Sequence, residues 1–268
     1  MIDIELQKKL RKEYNPEGSE LRNMQLKLLD ILKCIDKICQ KHNISYWLAS
    51  GTLLGAARHN GFIPWDDDLD IEILHTDKKK FIEACIQDLP PHYVIQCHQT
   101  DPYYYKGLIK IRDVNSKINE IKKIGNREFP VSYKYNGFFI DVFTEEPSYK
   151  LFLWLSKIPI RIISIAQYKW KLGTKYLDIL FQINEAIFMF FRFISKLNPL
   201  ICHYYHSYGC WFISSRKKKD LLPTKKIMFE GEYFNAPNNV DSYLRHMYGN
   251  YMELPDTIVR KPMHNISL

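Results

Sequence analysis

The sequence predicts an α/β (or α+β) fold on three observations. Apolar residues recur at three- and four-residue steps after Ser19, which predicts an amphipathic helix that starts at this N-cap and ends near His42 or Asn43. Short β-branched and aromatic runs predict strands, at residues 44–48, 68–74, 93–97, 108–114 and 137–143. Two longer apolar stretches, 151–170 and 177–197, predict helices in the second half of the chain.

The composition is that of a globular protein with a basic surface. The chain has 268 residues, enough for one large domain or two small ones, and 46% of them are hydrophobic. The net charge of +8 favours an anionic partner: a nucleotide, a nucleic acid or an acidic membrane surface. Charge alone does not choose among these partners.

The sequence also bears on the compartment. The N-terminus carries charges where a signal peptide needs an apolar run, and no stretch reaches the ~20 uncharged residues of a membrane span. The six cysteines show neither a CxxC pair nor a zinc-type spacing, and they lie mostly in apolar stretches. Buried, reduced thiols are therefore expected, and the expected location is the cytoplasm.

One segment, residues 50–71, combines a small-residue turn with clustered carboxylates. Its four carboxylates fall within five positions: Asp66, Asp67, Asp68 and Asp70. Such groups repel one another unless a cation or a solvated loop separates them. In a strand that starts at Asp68, the two-residue period places Asp68, Asp70 and Glu72 on one face, opposite an apolar face. Paired carboxylates suit a hard ion such as Mg²⁺, so the segment predicts a metal-dependent active site.

Two later strands add charged residues. Asp141 is a lone carboxylate in the apolar run 137–143, and a buried aspartate needs a metal, a cation or a hydrogen-bond partner. The alternative places Asp141 on the wet face of an edge strand. Lys110 and Arg112 share one strand face, as basic groups aimed at a phosphate would, with a solvated sheet face as the alternative.

The turn before the acidic strand suits phosphate binding. Gly51 and the hydroxyls of Ser50 and Thr52 would let the protein approach phosphate oxygens closely. Arg58 joins the two strand cations as a candidate counter-charge. Two carboxylates on one strand and one on a neighbour can bridge one or two Mg²⁺ ions, which neutralise a diphosphate and activate an incoming hydroxyl.

The second half of the chain is apolar but carries many basic residues. Lysines and arginines interrupt both long stretches between residues 150 and 208, so neither is expected to span a bilayer. Core helices are the favoured interpretation, and a basic amphipathic surface that touches membrane lipid is a compatible alternative. The basic run 216–219 predicts a solvated loop, or else a contact with an acidic partner.

One long block comprises Gly51-Thr52-Leu53-Leu54-Gly55-Ala56-Ala57-Arg58-His59 and the run from Gly61 to Ile71. This block resembles the signature of the LicD family, phosphocholine transferases related to the fukutin-type transferases. The likeness continues through the segments 139–143, 229–231 with Pro237, and 248–255, and it spans about residues 20–255. Ala57 and Asn250 depart from the pattern, where a β-branched residue and an aspartate are expected.

The resemblance implies a nucleotidyltransferase-like fold, a mixed β-sheet flanked by helices, with an α-helical insertion in the C-terminal half. It implies Asp68, Asp70 and Asp141 as ligands of Mg²⁺ or Mn²⁺. In the implied reaction, a CDP-linked donor such as CDP-choline gives its phospho-alcohol to a glycan hydroxyl, and CMP leaves. Gly51 and Thr52 would contact the donor phosphates.

The resemblance also suggests roles for the remaining residues of the long block. Arg58 would supply positive charge, and Asp66 and Asp67 would join the metal shell or order the loop. Asp141 is the candidate base for the acceptor hydroxyl because it lies beside the metal. His59 is the second candidate base, against a surface or capping role, and Trp65 either stacks on a base or sugar or packs in the core.

We expect residues 1–268 to form one LicD-like domain, with its core at about 20–145 and 220–255 and a helical insertion at about 150–215. The implied partners are a CDP-linked donor and a glycan acceptor, which can be lipid-linked, but no nucleic acid. The implied location is the cytoplasm, including the inner face of the membrane, with peripheral membrane contact. Two alternatives stay open: a nucleotidyltransferase that moves an NMP from an NTP to a hydroxyl, and a non-catalytic glycan- or membrane-binding protein. The alcohol, whether choline, ethanolamine, glycerol or ribitol, cannot be read from the sequence.

Overall fold

A mixed β-sheet flanked by helices forms the centre of the structure. The computed structural model describes residues 2–131, 133–198, 200–210 and 212–262. The helices are α1 (Ile4–Tyr14), α2 (Glu20–Lys41), α3 (Ser50–His59), α4 (Lys78–Asp88), α5 (Lys150–Tyr168), α6 (Thr174–Lys196), α7 (Lys218–Leu221) and α8 (Val240–Tyr248). The strands are β1 (Tyr46–Leu48), β2 (Asp70–Leu74), β3 (Tyr93–Gln96), β4 (Ile109–Asp113), β5 (Ile121–Ile124), β6 (Arg127–Pro130), β7 (Phe139–Pro147), β8 (His203–His206), β9 (Arg216–Lys217), β10 (Lys225–Phe229) and β11 (Glu232–Ala236).

The central sheet has the order β1-β2-β7-β4-β3. Strands β2 and β7 are parallel neighbours, whereas the other pairs along this path are antiparallel. The first half of β7 pairs with β4, and its last residues pair with β8, which pairs in turn with β9. This topology confirms the predicted α/β fold with a mixed sheet flanked by helices.

Helix α2 contributes an apolar face to the main core. It begins after the predicted N-cap, where Ser19 Oγ accepts a hydrogen bond from the Arg22 N–H at 3.2 Å. Leu28 and Ile31 on this face are fully buried, each contributing about 1.5–3 kcal/mol of hydrophobic stabilisation. The helix ends at His42, and Asn43 adopts a left-handed φ of 49°, which confirms the predicted boundaries.

A tight turn after α3 leads the chain back to the sheet. Asn60 caps α3 in the left-handed conformation, and a Cβ on Gly55 would lie 2.5 Å from the Gly61 carbonyl oxygen. Only glycine fits at position 55, so the chain can fold closely over the helix. The strand predicted from Asp68 begins at Asp70, because its pairing with β7 starts at the register pair of Asp70 and Asp141. Asp68 therefore lies in the loop that enters β2.

Helices α5 and α6 form a hairpin whose inner side is buried. Leu153 packs with Phe188 in one local cluster, and Ile163 packs with Leu177 in another. Their outer sides are exposed to solvent. Within the ranges that the structure describes, no helix has the length and apolar character to span a membrane.

Some local predictions differ from the structure. Arg216 in the basic run is buried rather than solvated, because it begins β9 and meets acidic partners inside the protein. All six cysteines are free thiols, but Cys202 is exposed. Helix α1, the β5–β6 hairpin and strand β8 were not predicted, since their sequences lack a clear apolar period.

Candidate active site

Two aspartates lie side by side on the parallel strands of the sheet. Asp70 on β2 and Asp141 on β7 are register partners. The Asp70 N–H donates to Thr52 Oγ1 at 2.8 Å, and the Asp141 N–H donates to the Leu69 carbonyl at 3.0 Å. The backbone around both residues is therefore fixed, and the structure brings together two carboxylates that are about seventy residues apart in the sequence.

The aspartates form an electrostatically unfavourable cluster. Burial raises the pKa of Asp70 well above its usual value, and three other carboxylates raise it further: Asp68, Asp141 and Asp66. Burial likewise raises the pKa of Asp66, followed by the charges of Asp68 and Asp67. A cation among these oxygens would remove the repulsion. The donor set, grouped carboxylates, fits a hard divalent ion.

The turn at the start of α3 lies directly against this cluster. A Cβ on Gly51 would lie 2.9 Å from Asp66 Oδ2, so the carboxylate occupies the space of a side chain. Ser50 adopts a φ of 45°, a left-handed conformation that is costly for a residue other than glycine. Strain of this kind is often concentrated at functional sites.

A cavity of about 560 Å³ opens beside the aspartates, within the size range of small-molecule sites. Five of the predicted site residues line it: Ser50, Gly51, Asp66, Asp68 and Asp70. The C-terminal half of the chain supplies further lining residues: Phe143, His206, Arg216, His246, Met247 and Tyr248. Burial raises the pKa of Tyr248, and so do the charges of Asp70, Asp66 and Asp68, which places its hydroxyl near the cluster.

Asp141 lines a second, smaller cavity of about 200 Å³. Lys110 Nζ lies 2.7 Å from Asp141 Oδ1. Burial lowers the pKa of Lys110 to about 8, against the opposing effect of Asp141. Phe143 and Phe212 line both cavities, so the two are neighbours.

Arg112, the other predicted strand cation, binds protein groups. It is fully buried, forms an ion pair with Glu120, and donates to Gln96 Oε1 at 2.5 Å and to the Gly137 carbonyl at 2.7 Å. Arg112 and Lys110 both lie over the Phe139 ring, on the shared face that the two-residue period predicted. Arg112 is not among the residues that line the two cavities.

Four other predicted residues are buried and line neither of these two cavities: Arg58, His59, Trp65 and Asp67. Arg58 donates to the carbonyls of Tyr251 and Glu253, both at 2.9 Å, and to His59 Nε2 at 2.9 Å. Burial and the charge of Arg260 lower the pKa of Arg58 to about 10.

The remaining members of the predicted set are also held by the protein. His59 is buried, with its Nδ1 2.6 Å from Gln7 Oε1. Trp65 is buried edge-on against Tyr14, with ring centroids 5.2 Å apart. Asp67 is buried as well.

The sequence did not predict a buried polar network next to the larger cavity. Glu72, two residues after Asp70, is fully buried on β2. Its Oε2 accepts a hydrogen bond from Trp47 Nε1 at 2.6 Å, and its Oε1 accepts one from the Tyr243 hydroxyl at 2.7 Å. His206 Nε2 lies 2.9 Å from the same Oε1. The two-residue period of the strand draws attention only to Glu72. Its hydrogen-bond partners lie far from it in the sequence and belong to no recognisable motif.

Arg216 supplies the positive charge of this network. Its two terminal nitrogens lie 3.0 Å from Glu72 Oε1 and 3.3 Å from Glu145 Oε1. Burial alone would raise the pKa of Glu72, but Arg216 and His206 outweigh it and lower that pKa to about 2. Burial raises the pKa of Glu145 well above its usual value. Donor atoms of Glu72, Glu145 and His206 lie within 4.8 Å of one another, a grouping that could hold a metal ion.

Asp70 and Asp141 lie on adjacent parallel strands of the mixed sheet, and each lines a cavity beside that sheet, the larger of a size that small-molecule ligands occupy. Residues 43–159 match the family model described as "LicD/FKTN/FKRP, nucleotidyltransferase domain". The lipopolysaccharide cholinephosphotransferase LicD of Haemophilus influenzae is 31% identical over 259 residues, which cover 91% of this chain and 96% of that protein. The human and mouse ribitol 5-phosphate transferases FKRP are each 48% identical over 40 residues, 15% of this chain and 8% of theirs. The chain therefore belongs to the LicD family, as the resemblance predicted, and it is a phosphotransferase.

Proposed function

We propose that the protein transfers phosphocholine from CDP-choline to a hydroxyl group of a cell-surface glycan and releases CMP. The observation that carries this proposal is the similarity to the Haemophilus cholinephosphotransferase, which extends over 91% of the chain and includes the aspartate segment. The second support is the cavity beside these aspartates, which has room for a small-molecule donor. A nucleic-acid partner is not part of the proposal.

The proposed metal ligands are Asp68, Asp70 and Asp141, with Asp66 beside them. Their fit to Mg²⁺ or Mn²⁺ is supported by the mutual repulsion that raises the pKa of Asp70. When bound, the ion would neutralise the charge of the donor diphosphate. The group of Glu72, Glu145 and His206 is the weaker candidate, because Arg216 already balances its negative charge.

The larger cavity is the proposed donor site. The backbone of Ser50 and Gly51 would approach the phosphates closely, since no side chain of Gly51 intervenes. The aromatic rings of Phe143, Phe212 and Tyr248 would supply faces for the cytosine ring or for the quaternary ammonium of choline. Arg58 and Arg112 would act indirectly, by holding the loop and the sheet around the site.

The smaller cavity is the proposed acceptor site. The acceptor hydroxyl oxygen attacks the phosphorus that carries choline, and its proton passes to the Asp141 carboxylate. A new O–P bond forms as the bridging P–O bond of the diphosphate breaks, and CMP leaves with the electron pair on its phosphate oxygen. Lys110, 2.7 Å from Asp141, orients this carboxylate.

The proposed location is the cytoplasm, at the inner face of the membrane. Six free thiols are the state that a reducing compartment favours, and they support this location.

The test is CMP release from CDP-choline by the purified protein with Mg²⁺ and a lipopolysaccharide acceptor. We expect Asp70→Asn to reduce the rate at least about 100-fold, because it removes a carboxylate charge that would hold the metal. Asp30→Asn, on the exposed side of α2, is the matched control and should retain full activity.

Three outcomes would decide against the proposal. One is a lack of CMP release with every CDP-alcohol of a panel containing choline, ethanolamine, glycerol and ribitol. Another is unchanged activity of Asp70→Asn, which would refute the metal assignment. The third is release of pyrophosphate from an NTP without CMP release from CDP-choline, which would favour nucleotidyl transfer.

A further inference from the structure

The outer face of the α5–α6 hairpin is apolar and exposed. Fourteen of the 26 large apolar side chains exposed among the described residues lie between residues 150 and 200. We define the hairpin outer face by the exposed apolar residues of the two helices, of their connection and of the α6 C-cap: Leu151, Trp154, Ile158, Ile162, Trp170, Leu172, Tyr176, Ile179, Ile183, Met189, Phe190, Phe193 and Leu197. A concentration of this kind marks an interaction surface rather than scattered surface residues.

On α6 the spacing of these residues makes one continuous stripe. From Tyr176 to the C-cap Leu197, most of them recur at steps of three, four or seven residues: Tyr176, Ile179, Ile183, Phe190, Phe193 and Leu197. This period keeps the side chains on one side of a helix for its whole length. Burial on the inner side of the hairpin does not involve them, so the outer face is free to contact a partner.

The charges around the face indicate an anionic partner. Residues 150–200 contain eight Lys and Arg against two Asp and Glu, a formal charge of +6 for this segment within a chain of +8. Lys169 and Lys171 flank the exposed Trp170 at the turn of the hairpin, and both lysines are exposed. Exposed apolar residues bordered by lysines and tryptophan are typical of helices that lie in the interface of an anionic bilayer.

A second copy of the chain is a poorer occupant for this face. A symmetric dimer would bring the same patch of each subunit together, because its interface is self-complementary. The segment that carries each patch has a formal charge of +6, so the two copies would repel each other. An anionic lipid surface instead attracts each lysine or arginine with about 1 kcal/mol.

The hairpin also contributes to the smaller cavity. Ile160, Ser164, Gln167 and Tyr168, all on α5, line the cavity that contains Asp141. The same helix thus carries the outer face on one side and part of the proposed acceptor site on another. A protein bound to lipid through this face would therefore have part of its proposed acceptor site on the helix that contacts the membrane.

We propose that the hairpin outer face binds the surface of an anionic lipid bilayer, and that the acceptor is therefore a lipid-linked glycan. The second half of this proposal rests on the proposed transferase function. The first half does not depend on it.

The first test is co-sedimentation with phosphatidylcholine vesicles that contain about one third phosphatidylglycerol, compared with vesicles of phosphatidylcholine alone. We expect the wild type to bind the anionic vesicles and added NaCl to weaken binding. The double variant Phe190→Ser/Phe193→Ser should bind at least about tenfold more weakly, because both side chains are 59% exposed and available for insertion. Tyr233→Ser on β11, 63% exposed, is the matched control and should bind like the wild type.

If the Phe190→Ser/Phe193→Ser variant fails to fold, a variant that changes only charges can still test binding to the vesicles. Lys169→Glu/Lys171→Glu changes only exposed lysines in the connecting turn and should reduce binding to anionic vesicles about tenfold or more. Unchanged binding by the folded variants, or no binding by the wild type, overturns the proposal. A dimer in sedimentation equilibrium that dissociates in the Phe190→Ser/Phe193→Ser variant, without vesicle binding by the wild type, assigns the face to a second copy instead.

The second test compares CMP release with a vesicle-embedded acceptor and with the same glycan after removal of its lipid. We expect Phe190→Ser/Phe193→Ser to slow the reaction only with the embedded acceptor. Equal rates of wild type and variant on the embedded acceptor overturn the lipid-linked assignment. Vesicle binding without CMP release from any acceptor would instead refute the transferase proposal and leave the membrane surface intact.

Discussion

Individual residues of the aspartate segment have different tasks. Asp70 contacts Thr52 through its backbone and is the register partner of Asp141. Asp66 has its carboxylate against Gly51, in the space of a missing side chain. Thr52 and Gly51 therefore position the acidic groups, in addition to any contact with a donor phosphate.

Gly51→Ala tests this positioning. Alanine is more favourable than glycine in a helix by about 1 kcal/mol, so Gly51 does not stabilise α3 through its helix propensity. The new methyl group would push the Asp66 carboxylate aside, since the contact would be 2.9 Å. We expect CMP release to fall about tenfold while the melting temperature changes by only a few degrees.

Gly173→Ala is the matched control, because a Cβ at that position meets nothing within 4 Å and its φ is −63°. Full activity of Gly51→Ala would contradict this prediction, because it would show that CMP release does not depend on the position of the Asp66 carboxylate.

At the scale of elements, the β10–β11 hairpin clamps the loop that carries the aspartates. Glu230, at the turn of this hairpin, accepts hydrogen bonds from the Phe62 N–H at 3.0 Å, from Arg11 at 2.9 Å and from Arg22 at 2.8 Å. Its own N–H donates to the Asn60 carbonyl at 3.0 Å. The segment 229–231, quoted above for its resemblance, thus has a physical role in the fold.

Glu230→Ala is expected to lower the free energy of unfolding by about 2–4 kcal/mol, because it removes the buried partner of Arg22 and leaves that arginine with only the exposed Glu17. CMP release should fall as well, since the loop loses its anchor. Urea denaturation and the release assay measure the two effects. Glu232→Ala removes an exposed ion pair with Lys33 on the same hairpin and should change stability by less than about 0.5 kcal/mol. Equal stabilities of the two variants would contradict the clamp.

The Glu72 network joins six elements: β1, β2, β7, β8, β9 and α8. Glu145 on β7 and His206 on β8 are register partners, and Arg216 on β9 reaches both carboxylates. Phe143 stacks on the His206 ring, with centroids 4.6 Å apart. Since His206 and Arg216 line the larger cavity, the network connects its wall to the centre of the sheet.

At the scale of the whole molecule, His59 ties the first helix and the C-terminal segment to the body. Its Nδ1 meets Gln7 on α1, and its Nε2 accepts a hydrogen bond from Arg58, which holds the Tyr251 carbonyl. Accepting that bond requires a neutral ring. Burial and the charges of Arg58 and Arg11 lower the pKa of His59 to about 3.

This pKa predicts a loss of stability in acid. Above about pH 6.5 the His59 ring is neutral in both the folded and the unfolded protein. Below that pH the ring binds a proton in the unfolded chain but stays neutral in the folded protein. Stability should therefore fall as the pH drops from 6.5 toward 3, by on the order of 2–3 kcal/mol at pH 4.5 from this group.

Urea denaturation of the wild type and of His59→Gln at pH 7 and pH 4.5 measures the effect. The variant should lose less stability between the two pH values, while His92→Gln, at an exposed position, should follow the wild type. Parallel pH profiles for the wild type and His59→Gln would exclude His59 as the source.

The sequence by itself determined the family, the α/β class and the start and end of α2. These features depend on local periods, caps and a contiguous motif, which the order of residues contains. The grouping of Asp68, Asp70 and Asp141 as metal ligands stays a prediction of the resemblance. Lys110 and Arg112 lie on the same face of β4, but only the tertiary structure decided their partners. Lys110 contacts Asp141, whereas Arg112 is buried against Glu120. It alone brought Tyr243 to Glu72 across 171 residues. Such contacts follow from how strands and helices pack, and packing between distant segments leaves no periodic signal in the sequence.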